Sequence, residues 1–219
     1  MKIVIGITLM LFTLSMKPSL KNRILFFGDS ITEMGVNKGG YINRLQTKIN
    51  EKGLTDKYQL LGAGIGGNKV YDLYLRLEED VFAKKPGVVV IWVGVNDVWH
   101  KTSGIGTDVE KYERFYVALI KKMQAKKMKV VLVTPAAIGE KHDGSNPQDT
   151  DLNLYSDVIR KLAQQFGCKL VDLRSVFMQY ELKHNTTNKE SGILTTDRVH
   201  LNDAGNQLVA DEMWKAIMN

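Results

Sequence analysis

Cysteine is nearly absent from this sequence: Cys168 is the single one among 219 residues. One thiol excludes an internal disulfide and any cysteine-based metal cluster. Its place between Gly167 and the strand-like Lys169-Leu170-Val171 suits a small buried hydrophobe. Metal-ligand spacing is missing as well, with no His-x-x-x-His pair and no carboxylate cage, so no metal is expected. The usual nucleotide-binding signatures, GxxxxGKS and a strand-bound GxGxxG, do not occur, and no cofactor is implied. There is no internal repeat, linker or low-complexity tract, and the length suits one well-buried domain, placed at 21–219.

A dominant charge is also lacking. Thirty Lys and Arg against 24 Asp and Glu leave a formal net charge of +6. The basic residues are scattered, and their densest cluster (Lys121, Lys122, Lys126, Lys127, Lys129) falls at the end of a helix-like stretch. Cations there complement the helix dipole and keep a surface wet, so no nucleic-acid partner is expected.

Long hydrophobic runs are confined to the start. Lys2 precedes the mostly apolar Ile3 to Met16, and Lys17-Pro18-Ser19 follows. The run is short of the roughly 20 residues that span a bilayer and reads as a secretory leader over 1–20. That predicts a secreted or periplasmic protein with no stable membrane insertion once the leader is removed. No Cys closes the leader, which excludes a lipoprotein. An uncleaved anchor and a start codon placed too early are the alternatives.

The remainder alternates strand-like with helix-like segments. Apolar runs at 23–28, 58–63, 87–93, 129–134 and 169–173 lack period-2 alternation, as expected of strands buried on both faces of a parallel sheet. Amphipathic stretches lie near 39–52, 68–84, 108–127, 151–166 and 203–218, and Asp108 and Asp203 look like helix starts. This alternation predicts right-handed crossovers and a three-layer α/β/α sandwich with a five-stranded parallel sheet. The long breaks at 97–107 and 135–150 both follow strands and are expected to rim a site at the carboxyl edge.

Chemistry concentrates at four points. Gly28-Asp29-Ser30-Ile31 follows the apolar Ile24-Leu25-Phe26-Phe27, which lifts the Ser30 hydroxyl to the sheet edge. Serine needs a neighbouring base to act as a nucleophile. Asp197-Arg198-Val199-His200 offers one, because a carboxylate three residues before an imidazole can accept its Nδ1 proton on a tight turn. That order, Ser, Asp, His, points to acyl transfer. Ser30 also suits a helix N-cap with Glu33 three residues on, and the two roles are compatible. Between these ends lie Gly62-Ala63-Gly64-Ile65-Gly66-Gly67-Asn68 and Gly94-Val95-Asn96-Asp97.

With these four stretches in order, the chain resembles the SGNH (GDSL-type) hydrolases over roughly residues 22–218. The family's named Ser, Gly, Asn and His match Ser30, Gly67, Asn96 and His200. The resemblance implies a flavodoxin-like strand order of 2-1-3-4-5. It implies Ser30 as nucleophile, His200 as base and Asp197 as orienter. It also implies an oxyanion hole built from the Ser30 and Gly67 backbone N–H groups and the Asn96 amide. Asp29 and Asp97 are expected to brace the turns carrying Ser30 and Asn96, and Trp99 to wall the pocket or pack in the core. Many relatives have Asn where this chain has Gly62, and Asp-Thr where it has Asn68-Lys69; the departure bears on substrate contacts rather than on acyl chemistry. The implied activity is hydrolysis of short acyl esters, acetylated sugar first, on a small-molecule or glycan substrate. A lysophospholipase or thioesterase, an acyltransferase using the same acyl-enzyme, and a non-catalytic carbohydrate-binding protein are the alternatives.

Overall fold

A computed structural model describes residues 21–218, so the leader proposed over 1–20 lies outside the described residues. Strand β1 (Asn22–Gly28) is an interior strand of a five-stranded parallel sheet of order β2-β1-β3-β4-β5, with β2 Tyr58–Gly64, β3 Val88–Trp92, β4 Lys129–Val133 and β5 Lys169–Val171. The order is the expected one. Pairing is in register along the whole of β1, with Asn22 opposite Tyr58 and Gly28 opposite both Gly64 and Trp92. The carboxyl ends of β1, β2 and β3 therefore finish side by side, which brings three of the four motifs to one edge.

Burial explains why the strands lack alternation. Ile24 to Phe27, Val89 to Trp92 and Val130 to Val133 are buried on both faces. The expectation fails for β2 and β5, which are the sheet edges and keep Tyr58, Leu60 and Leu170 partly open. Helix α2 (Tyr41–Glu51) packs against β2 and against α9 (Asp203–Met218), which also contacts β5. Helices α6 (Val109–Ala125) and α7 (Asp149–Phe166) pack on each other and on β4. Two helical layers around one sheet follow from right-handed crossovers that run first toward β2 and then back through β3 to β5.

Local rules set the helix boundaries. Asp108 caps α6 by accepting the Lys111 N–H at 2.9 Å. At α9 the cap is Asn202, whose Oδ1 accepts the Gly205 N–H at 2.9 Å, while Asp203 pairs with Arg44 of α2. The amphipathic 68–84 stretch is broken into α3 (Val70–Leu75), α4 (Leu77–Asp80) and a 3₁₀ turn at Phe82–Lys84. The run at 169–173 ends as strand at Val171, because Asp172 accepts the Ser175 N–H and O–H and starts helix α8 (Leu173–His184). The break at 97–107 is largely helical, with α5 (Val95–Trp99) followed by a 3₁₀ turn at His100–Ser103. Cys168 is half-buried rather than fully enclosed, and burial pushes its thiol up. Among the described residues no helix is long and apolar enough to cross a membrane.

Candidate active site

Helix α1 (Ser30–Gly35) begins where β1 ends, and Asp29 is its N-cap, accepting the Ile31 N–H at 3.0 Å. Ser30 thus stands at a helix start, at the carboxyl edge of the sheet. Its Oγ lies 2.9 Å from His200 Nε2, and His200 Nδ1 lies 2.6 Å from Asp197 Oδ2. With Nδ1–H donated to the carboxylate, Nε2 is left to accept the serine proton. Asp197 Oδ1 also accepts the backbone N–H groups of His200 (2.8 Å) and Val199 (3.2 Å). Partial burial works to raise the Asp197 carboxyl, but the hydrogen bonds from His200 and Val199 outweigh it and hold it below its usual range. Residues 170 positions apart meet in one hydrogen-bonded line.

The second motif wraps the same point. Gly64 ends β2 so close to α1 that a Cβ there would overlap the backbone at Thr32 and Glu33. Gly67 has φ +75, a left-handed conformation that glycine adopts without strain. A side chain at neighbouring Gly66 would reach within 3.9 Å of the Ser30 Cβ, so this turn runs past the serine. The Lys69 ammonium lies 3.4 Å from the Gly67 carbonyl oxygen.

Asn96 comes from the first turn of α5, directly after β3. It is buried, and its Nδ2 donates to the Asn68 carbonyl at 3.1 Å, leaving one amide proton uncommitted. Asp97 is fully buried and accepts the Val70 N–H at 3.2 Å, tying α5 to α3. Burial pushes Asp29 up to about 7, with the Asp97 charge adding to it, and pushes Asp97 up to about 6. Asp29 thus holds the turn into α1, and Asp97 holds α5 to the start of α3. Trp99 is half-buried, with its ring centroid 6.5 Å from that of His200 and nearly perpendicular to it.

The family model described as GDSL-like Lipase/Acylhydrolase matches residues 26–208. The chain belongs to that family. A GDSL-like protein of this kind is a carboxylic ester hydrolase. This chain is 30% identical to an acetylxylan esterase of Geobacillus stearothermophilus over 92% of its own length and 96% of that protein's. A crystal structure of the acetyl xylan esterase AlAXEase is 61% identical, with a TM-score of 0.88, covering 89% of this chain and 99% of the other. A catalytic serine-to-alanine mutant of the Geobacillus acetylxylan esterase superposes with a TM-score of 0.79 at 26% identity, covering 90% and 94%.

Two residues that organise this GDSL-like site carried no signal in the sequence. Glu140 is fully buried and accepts three backbone N–H groups of the loop before His200: Ile193 at 2.8 Å, Leu194 at 2.6 Å and Thr195 at 2.6 Å. The expected rim loop at 135–150 is thus in part an internal support, with Ala136 to Glu140 buried and Gly139 N–H donated to the Arg198 carbonyl. Arg76, at the break between α3 and α4, donates to the Gly28 and Ala63 carbonyls and to the Asn68 side chain, and its guanidinium lies 4.5 Å from the Phe27 ring centroid. It clamps the ends of β1 and β2 to the glycine-rich turn. Asn68, a departure from the family pattern, therefore has its side-chain oxygen turned inward to Arg76.

Proposed function

We propose that the protein removes acetyl groups from xylan or xylo-oligosaccharides through a covalent acetyl-enzyme on Ser30. The observation that carries the reading is the line from Ser30 Oγ through His200 to Asp197. The likeness to two acetylxylan esterases supplies the substrate class. Ser30 Oγ attacks the acetyl carbonyl carbon as its proton passes to His200 Nε2. The Ser30 and Gly67 backbone N–H groups and the free Asn96 amide proton take the negative charge on the carbonyl oxygen. Collapse of the tetrahedral adduct breaks the bond to the sugar oxygen, which leaves as a hydroxyl with the proton from His200. Water then attacks the acetyl-enzyme, gives a proton to His200 and releases acetate, and Ser30 regains its proton.

Asp197 keeps the Nδ1 proton in place and stabilises the imidazolium of each adduct. The Trp99 ring forms a wall for the sugar beside His200. Export by the 1–20 leader fits a polymer outside the cell, and N-terminal sequencing of protein recovered from culture medium tests that reading. The main test is acetate release from acetylated xylo-oligosaccharides, alongside p-nitrophenyl acetate, butyrate and octanoate. The expected result is release of acetate, rates that fall with acyl length, and loss of turnover in Ser30→Ala. Equal rates in wild type and Ser30→Ala overturn the mechanism, and a preference for octanoate overturns the substrate.

A further inference from the structure

A cavity of about 500 Å³ lies between the start of α7, the 141–146 segment and α8, lined by none of the residues assigned to the catalytic site. Its wall includes Glu181, which is only 2% exposed and whose Oε1 has no hydrogen-bond partner among the described residues. A buried carboxyl without a donor is costly, and native proteins satisfy such groups from within, with water or with a ligand. Arg174, 2% exposed on the same wall, does not supply that donor. Its Nε donates to Asn153 Oδ1, one terminal nitrogen to the Ala136 carbonyl and the other to Asp149 Oδ1. Asp149 Oδ2 in turn accepts from Asn146.

The buried ion pair is therefore closed on itself and offers neither a free cation for an anion nor a free carboxylate for an amine. Polar groups left to face the cavity are the Glu181 carboxyl, the Asn153 NH2, the Gln179 amide and the Thr150 hydroxyl, together with the Lys141 ammonium and the His142 ring, whose Nε2 lies 2.8 Å from the Asn185 carbonyl oxygen. Met178 (45% exposed) and Leu182 (69% exposed) add an apolar edge along α8. Amide, hydroxyl and carboxyl groups with a single lysine ammonium, set opposite an apolar strip, match a sugar ring, which has hydroxyls on its rim and C–H groups on its faces. The volume lies within the usual range for small-molecule sites. Burial holds the Glu181 carboxyl up to about 7, so it both accepts and donates near neutrality, as hydroxyl partners require.

We propose that this cavity is a second, non-catalytic glycan site, in which Glu181 hydrogen-bonds a ring hydroxyl of a neutral xylo-oligosaccharide. The proposal rests on the acetylxylan reading for its choice of sugar. Both the cavity and Ser30 are reached from the carboxyl edge of one sheet, after β4–β5 and after β1 respectively, which suits a polymer held at more than one point.

The test uses Ser30→Ala protein carrying ¹³C-methyl methionine, with the Met178 signal assigned through Met178→Leu. Xylotriose without acetyl groups is titrated in, with sodium acetate as the anion control. A saturable Met178 shift is expected with xylotriose and none with acetate. Glu181→Leu, which removes a buried unpaired carboxyl and so does not endanger folding, is expected to weaken that response about tenfold or more. Gln179→Trp, which fills the mouth from an exposed position, is expected to abolish it. No Met178 shift, a shift untouched by both variants, a response to acetate alone, or soaked crystals showing only water at Glu181 would each overturn the second site. Wild-type deacetylation of xylo-oligosaccharides is measured in parallel. Deacetylation without a Met178 response defeats this site and leaves the esterase reading standing, whereas no deacetylation defeats the reading itself.

Discussion

The two halves of the proposed catalytic line are held in different ways. Ser30 and Asn96 sit two and four residues past buried interior strands, each at the start of a helix, and their positions follow from the sheet ladder. Asp197 and His200 sit in a stretch with little regular structure, where Arg198 adopts φ +83 and a lone bridge joins Thr195 to Leu201. What the ladder does for the first half, the Glu140 carboxylate does for the second, by collecting three neighbouring N–H groups. A single buried acceptor can thus take the place of a strand partner. Removing it harms one half of the site and spares the other.

The largest effects come from the line itself. Ser30→Ala and His200→Ala are each expected to lower kcat by about 10³–10⁶ with folding stability nearly unchanged, read by acetate release and thermal melting. On the strand-held side, Asn96→Ala removes one of the proposed oxyanion donors and should lower kcat by about 10²–10³. On the loop-held side, Glu140→Gln keeps one acceptor oxygen and turns an amide against the Ile193 N–H. It is expected to cost about 1–3 kcal/mol of stability and about tenfold in kcat with KM little changed, whereas Glu140→Ala orphans all three donors and should cost more. If Glu140→Gln were to depress KM and kcat equally with no loss of melting temperature, the contrast between the halves would fail.

The two halves also respond to pH in opposite directions. Asp29 and Asp97 are raised from an ordinary value of 3.8 to about 7 and about 6, so the folded protein binds more protons than the unfolded chain between about pH 4 and 7. Stability contributed by these groups is therefore present at low pH and lost as pH rises through that window. Melting temperature should fall from pH 5 to pH 7.5, and Asp29→Asn should flatten the slope. Asp197 is held below its ordinary value, so its contribution is present above about pH 4 and fades only below it. The smallest expected effect is Arg198→Gly. Relief of the positive φ offsets the lost exposed pair with Glu190 and the added freedom of the unfolded chain, leaving stability within about 0.5 kcal/mol.

Much of this contrast was legible in the sequence, and what escaped it has physical reasons. Ser30 and Asn96 could be singled out because each follows the end of an apolar strand, and the Asp197–His200 pair because its two members lie three residues apart. Glu140 could not, because its partners lie 53 to 55 residues away and a lone Glu in a polar stretch looks like surface. Arg76 was hidden inside an amphipathic run that reads as one helix, and only its contacts with β1 and β2 show why that helix breaks. Helix α8 escaped because Leu173 looks like a last apolar residue of the β5 run, whereas the Asp172 cap has already turned the chain. Burial of the three central strands followed from their missing alternation. The exposure of β2 and β5 did not, since edge position is a property of topology.

Ser30 lies at the end of the first strand and His200 just before the last helix, and α2 and α9 are joined by the Tyr41–Asn206 hydrogen bond and the Arg44–Asp203 and Lys48–Asp211 pairs. Such closure over most of the chain is slow, because the entropy of a long loop is lost before its contacts form. A refolding chain should therefore regain helix signal and Trp92 burial while it still lacks esterase activity. Catalysis becomes a reporter of the last folding step, so a mixing experiment that follows acetate release should lag one that follows circular dichroism.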